Sequence, residues 1–119
     1  MSKKQELVNH VVELMSDGFA PVTAKAMFGG HGIYWHELMF ALIANEQLYI
    51  KADEQSVEAF TARGLKPFTY ASKGGKSTSL RYFEAPPEVM DDPAQMGEWA
   101  RLGHDCALRQ QKGKKPKKR

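Results

Sequence analysis

Three glycines in four positions surround a histidine in the run Met27-Phe28-Gly29-Gly30-His31-Gly32-Ile33-Tyr34. Glycine at this density marks a backbone that turns through positive φ, or one that another backbone approaches too closely for a Cβ. Such a loop can present His31 to a ligand, with Tyr34 close by. The plainer reading is a tight strand connection, because nothing nearby completes a catalytic set.

Other reactive side chains lack the companions their chemistry needs. Gly75-Lys76-Ser77 looks like the end of a phosphate-binding loop, but Tyr70 stands where the first glycine belongs. The segment also lies between two strand-like runs, whereas a phosphate loop leads from a strand into a helix. Gly30 and Gly32 begin a dinucleotide-type pattern that Trp35 breaks at its third glycine. His31 and His36 are separated by an odd number of residues, which on a strand sends them to opposite faces, and with Glu37 they show no HExxH-type spacing. His104 falls in the C-terminal half of a helix, where the helix dipole accounts for it. Cys106 lies on that helix's apolar stripe and reads as a buried structural thiol. Asp91 and Asp92 sit at the helix start and read as caps. The residues therefore predict no catalytic group, no metal site and no cofactor.

The elements that must position these groups follow from composition and periodicity. A chain of 119 residues, 42% apolar, is long enough to bury a core, and its single cysteine excludes an internal disulfide. Neither a signal-peptide core nor a run near 18 apolar residues is present, so a soluble, cytoplasmic protein without membrane contact is expected. Lys112, Lys114, Lys115, Lys117, Lys118 and Arg119 supply six of the 17 basic residues, leaving 11 basic against 14 acidic groups before them. The division is thus a domain over residues 1–111 and a basic, disordered tail over 112–119, in which Gly113 and Pro116 break any helix. That tail predicts weak, salt-sensitive, sequence-indifferent attraction to nucleic acid.

Leu7, Val8, Val11, Leu14 and Met15 recur at helical spacing after a Ser2/Gln5 capping pattern, with Gly18 as terminator. Strand-like runs cover residues 22–28, 32–36, 38–44 and 47–52, and their short separations demand antiparallel neighbours. Asp53 can cap a second helix that Gly64 ends. Residues 68–72 and 77–84 form a hairpin, and Asp92 with Pro93 opens a last helix carrying Met96, Trp99, Ala100, Gly103, Cys106 and Ala107 on one stripe. The order α-β-β-β-β-α-β-β-α predicts a two-layer α+β domain with an antiparallel sheet and helices on one face.

Several ordered motifs resemble the N-terminal domain of the TfoX/Sxy family of competence regulators. They are Ala26-Met27-Phe28-Gly29-Gly30-His31-Gly32-Ile33-Tyr34, Met39-Phe40-Ala41-Leu42-Ile43-Ala44, Leu48-Tyr49-Ile50-Lys51-Ala52-Asp53, Arg63-Gly64-Leu65-Lys66-Pro67-Phe68-Thr69-Tyr70, Tyr82-Phe83-Glu84-Ala85-Pro86 and Trp99-Ala100-Arg101. The resemblance spans about residues 5–110. It implies a two-layer α+β fold and a role associated with transcription of DNA-uptake genes. Full-length regulators of that family work with the cyclic-AMP receptor protein and carry a second, helical domain. The family supplies no catalytic residue to carry over.

The expected function is a non-enzymatic regulatory or adaptor domain, linked to competence genes, that acts through protein contacts with the transcription machinery. The alternative is a small-molecule sensor or enzyme using Gly29, Gly30, His31 and Gly32 with Tyr34. Alternation along residues 38–44 further places Met39, Ala41 and Ile43 on the sheet face opposite Phe40 and Leu42, beside Tyr34 and Tyr49. That apolar face predicts a homodimer.

Overall fold

The computed structural model describes residues 3–27, 30–72 and 74–113. The elements run α1 (Lys3–Gly18), β1 (Thr23–Met27), β2 (Gly30–Trp35), β3 (Leu38–Ala44), β4 (Gln47–Lys51), α2 (Val57–Thr61), β5 (Pro67–Ser72), β6 (Gly75–Glu84), a short 3-10 helix (Pro87–Asp91) and α3 (Pro93–Gly113). The six strands form one antiparallel sheet in the order β1-β2-β3-β4-β6-β5. The α+β architecture and element order are those read from the sequence, with strand boundaries moved by a residue or two. The 3-10 helix falls in a segment that periodicity leaves irregular. The Ser2 cap, Phe28, Gly29 and residues 114–119 lie outside the described residues.

Two tight turns join β2 to β3 and β3 to β4. His36 and Glu37 adopt φ of 54° and 65°, and Asn45 and Glu46 adopt 52° and 62°. Positive φ at both central residues gives a turn whose twist matches that of the strands it joins. Histidine and asparagine visit the left-handed region more readily than most residues, and the paired strands on either side hold Glu37 and Glu46 there.

A bulge in β3 overturns the simple alternation. Register passes from Ile33↔Ala41 to Tyr34↔Met39, leaving Phe40 without a partner on β2. An extra residue resets the alternation, so Phe40 and Ala41 point to the same side. Ala41 then pairs with Ile50 and Ile43 with Leu48, the strand residues whose side chains form the core. The expected set of Met39, Ala41, Ile43 and Tyr49 is therefore split. Ala41 and Ile43, at 0% and 4% exposure, lie beneath the helices. Met39 and Tyr49 remain on the other face, joined by Leu42.

Helices α1 and α3 cover one side of the sheet and pack against each other. Val8, Val11 and Met15 from α1 meet Met96 and Ala100 from α3 over Ile33, Phe40, Ile50 and Phe83. Where α1 ends, Gly18 and Gly97 touch backbone to backbone, and a Cβ on either would collide with a backbone carbonyl. Farther along α3, a Cβ on Gly103 would stand 2.8 Å from both the Phe40 carbonyl oxygen and the Ile50 side chain. Asp92 caps α3 through an Oδ1 that accepts the Ala94 N–H at 2.9 Å. Gly103→Val is expected to cost about 2–3 kcal/mol by lifting the helix off the sheet. Gly74→Ala, which meets nothing within 4 Å, should change stability by less than about 0.5 kcal/mol in the same urea titration.

Candidate functional site

Strand β2 divides the residues that the glycine-rich run brings together in sequence. His31 pairs with Ile43 and faces the helices, whereas Gly32 and Tyr34 face away from them. His31 and Tyr34 therefore cannot converge on one small ligand. Neither Gly30 nor Gly32 has positive φ, which corrects that part of the conformational expectation. Close approach is what Gly30 requires, since a Cβ there would collide with the Ile43 carbonyl oxygen. Over Gly32 the neighbours are side chains: Met27 Sδ, Met39 Sδ and the Tyr34 ring lie 2.8–3.0 Å from a built Cβ.

On the helix side, His31 joins a groove of about 630 Å³ between α1 and β1. Val8, Val12, Ala24 and Ala26 supply its apolar surface, and Gln5, Asn9 and Glu13 its polar rim. Strand β1 is a sheet edge, so its outer backbone groups border this groove. A second hollow of about 350 Å³ lies on another face of α1, lined mainly by Leu7, Leu48, Leu65, Val89 and Met90. His10 ties α1 to the 3-10 helix there through Nε2, 2.7 Å from the Met90 carbonyl oxygen.

Among the described residues, no helix packs on the opposite sheet face. Met27, Tyr34, Met39, Leu42, Tyr49 and Phe68 are each half-buried there. Tyr49 and Phe68 meet edge to face at 5.0 Å, and Lys25 Nζ lies 4.9 Å from the Tyr34 ring centre. Alternation alone could not find Leu42 on this face, because the bulge that puts it there leaves no mark in the hydrophobic pattern. Lys25 and Tyr34 meet only through the β1–β2 register.

Helix α3 carries two buried titratable groups, His104 and Cys106. His104 is 4% exposed among the rings of Trp35, Phe40 and Phe19, at centroid distances of 4.7, 5.7 and 5.8 Å. Its Nε2 has no hydrogen-bond partner among the described residues, while the ring bonds the Trp35 backbone. Burial pushes its pKa below the usual 6.5. His36 stacks on Trp35 at 4.1 Å, at the opposite end of β2 from His31. Two residues after His104, Cys106 is fully buried, and desolvation raises its thiol to about 11. Burial and the raised pKa both hold it in the thiol form, as suits a packing group.

Asp53 does not cap α2 directly; Ser56 occupies that position. Its Oδ1 instead accepts the N–H groups of Gln55 and Ser56 at 3.0 and 3.1 Å. Arg109 donates Nε and Nη2 to the two carboxylate oxygens, each at 2.8 Å, clamping α3 onto the loop after β4. The Arg109 hydrogen bond, opposed in part by desolvation, lowers the Asp53 carboxyl to about 2.

Gly75, Lys76 and Ser77 open strand β6 and lead into no helix, which removes the phosphate-loop geometry. Lys112 lies in the last turn of α3, so the helix extends past the expected start of the tail. Lys114, Lys115, Lys117, Lys118 and Arg119 are outside the described residues. Among the described residues no group of three or more metal-ligating side chains forms, and no helix is long and apolar enough to cross a membrane.

Residues 13–107 match the family model described as the TfoX N-terminal domain. The DNA transformation protein TfoX of Haemophilus influenzae is 25% identical over 91 residues, covering 76% of this chain and 42% of that protein. Protein Sxy of Escherichia coli is 22% identical over 95 residues, covering 80% of this chain and 45% of its own length. The chain thus spans less than half the length of these curated relatives.

Gly30→Ala is expected to destabilise by about 2 kcal/mol because backbone must move, whereas Gly32→Ala costs less than about 1 kcal/mol because methionine ends can swing aside. Chemical denaturation of both variants checks the order. For His104, the unfolded chain takes up a proton more readily than the folded one. Stability should be full above the unfolded pKa of about 6.5, fall as pH drops below it, and level off below the folded pKa. Denaturation midpoints followed downward from pH about 7.5 should show this slope, and His104→Phe should flatten it.

Proposed function

This chain belongs to the TfoX N-terminal domain family, and from that membership we propose a non-enzymatic regulatory or adaptor domain, linked to expression of competence genes, that grips a partner protein of the transcription machinery. The observation that carries this reading is the groove between α1 and the edge strand β1. An extended segment laid in it can pair with the outer backbone of β1 while its side chains meet Val12, Ala24 and Ala26. The polar rim of Gln5, Asn9, Glu13 and His31 then supplies hydrogen bonds at the margin.

The separation of His31 from Tyr34 across the sheet weighs against the sensor or enzyme alternative, because a reaction centre needs its groups within hydrogen-bond reach. A partner groove needs no such convergence. The name of the Haemophilus relative, a DNA transformation protein, gives the pathway its chemical context.

Ala26 is exposed, so Ala26→Arg should obstruct the groove and leave the melting temperature nearly unchanged. In native cells lacking this gene, the wild-type gene should restore transcripts of DNA-uptake genes, and the Ala26→Arg gene should not. Full complementation by Ala26→Arg would remove the groove from the mechanism. Saturable thermal stabilisation by a metabolite, lost in His31→Ala, would return the reading to a ligand sensor.

A further inference from the structure

One cross-strand row on the uncovered sheet face carries opposite charges at its two ends. The register aligns Lys25 with Gly32, Gly32 with Leu42, Leu42 with Tyr49 and Tyr49 with Glu84. Four strand spacings separate Lys25 on β1 from Glu84 on β6, a span of about 19 Å. Leu42 stands at the middle of the row, and Tyr34 and Met39 stand beside it, paired in the next row of the same face. Positive end, apolar centre and negative end lie on one line.

We propose that this face receives a second copy of the chain, stacked sheet to sheet about a two-fold axis that runs parallel to β3 between the two faces. That axis reverses the row. Lys25 of each copy comes over the partner's Glu84, and Leu42 comes over the partner's Leu42. A two-fold axis at right angles to the strands would instead set Lys25 against the partner's Lys25, a repulsive contact. The charges therefore select one of the two in-plane arrangements. Aligned sheets packed face to face cross at a shallow angle, which keeps the ends of the row in register.

The occupant is argued from chemistry as well as from charge. Residues 112–119 are six basic residues with Gly113 and Pro116, so the basic end of this chain offers little apolar surface to match methionine, leucine and aromatic rings. A second copy presents the same apolar centre and the complementary charges. A face six strands wide and about 20 Å along the strands offers roughly 500 Å² per copy in projection. That puts the pair at the small end of specific interfaces and predicts a reversible dimer in the micromolar range. Its location away from the α1–β1 groove makes it independent of the function proposed above.

Sedimentation equilibrium of the full chain across micromolar concentrations tests the arrangement. The wild type should show a concentration-dependent dimer, and Leu42→Glu should be monomeric. Lys25→Glu and Glu84→Lys should each weaken association by roughly tenfold, since two rim pairs turn repulsive in each variant. An equimolar mixture of these two variants should recover wild-type affinity, because the heterodimer restores Lys25 opposite Glu84 at one site and the reversed pair at the other. Lys25 is exposed, so its variant stays informative even if Leu42→Glu fails to fold. A wild type that remains monomeric overturns the proposal. So does a dimer that single charge reversals leave unchanged, or one that mixing does not restore.

Discussion

Helix α3 rests on the sheet at a point where there is no room for a side chain. The β3 bulge turns Phe40 and Ala41 toward the same side, and Gly103 meets the Phe40 carbonyl oxygen there. Bulge and glycine are two halves of one constraint: the strand rises locally and the helix is hollow where it does. Both pieces must coincide before the rest of α3 can reach its partners. Toward its N-terminus the same seating brings Gly97 against Gly18, which locks α1 to α3. Toward its C-terminus it lowers Cys106 into the core and lets Arg109 reach Asp53.

This seating decides the chemistry of the groups that α3 carries. His104 follows Gly103 directly, so a helix held this close drives its imidazole among Trp35, Phe40 and Phe19. Burial then favours the neutral form of the histidine and the thiol form of Cys106, while Arg109 keeps Asp53 charged. Three residue types familiar from active sites thus serve packing and clamping. Their electrostatics point inward, toward fold stability, and none of the three lines either of the two hollows beside α1.

The sheet separates two kinds of surface. Its helix-covered side ends at β1 in a groove with a polar rim, where His31 is the glycine run's contribution. Its uncovered side gathers Tyr34, Met39, Leu42 and Tyr49, with Lys25 and Glu84 at the margins. Period-two alternation sends neighbours in the same run to opposite surfaces. The chain can therefore offer two contact regions from one strand without the groups of either interfering with the other.

Local physics fixed what the sequence alone determined. Helical spacing from Leu7 to Met15, the Asp92-Pro93 start and the short separations between strand runs are each settled within a few residues, so element order and antiparallel pairing were legible. So was the burial of Cys106, because it lies on an apolar helical stripe. The face assignment of Ala41, Ile43 and Leu42 was not legible. The bulge lies where α3, distant in sequence, meets the strand, and the hydrophobic residues of β3 fit either parity equally well. The reason for Gly30 was likewise hidden, since the carbonyl it accommodates belongs to Ile43 on the neighbouring strand. The Asp53–Arg109 clamp joins residues 56 positions apart. Spacing within the chain carries no record of such a pairing, and only the folded packing of α3 over β4 creates it.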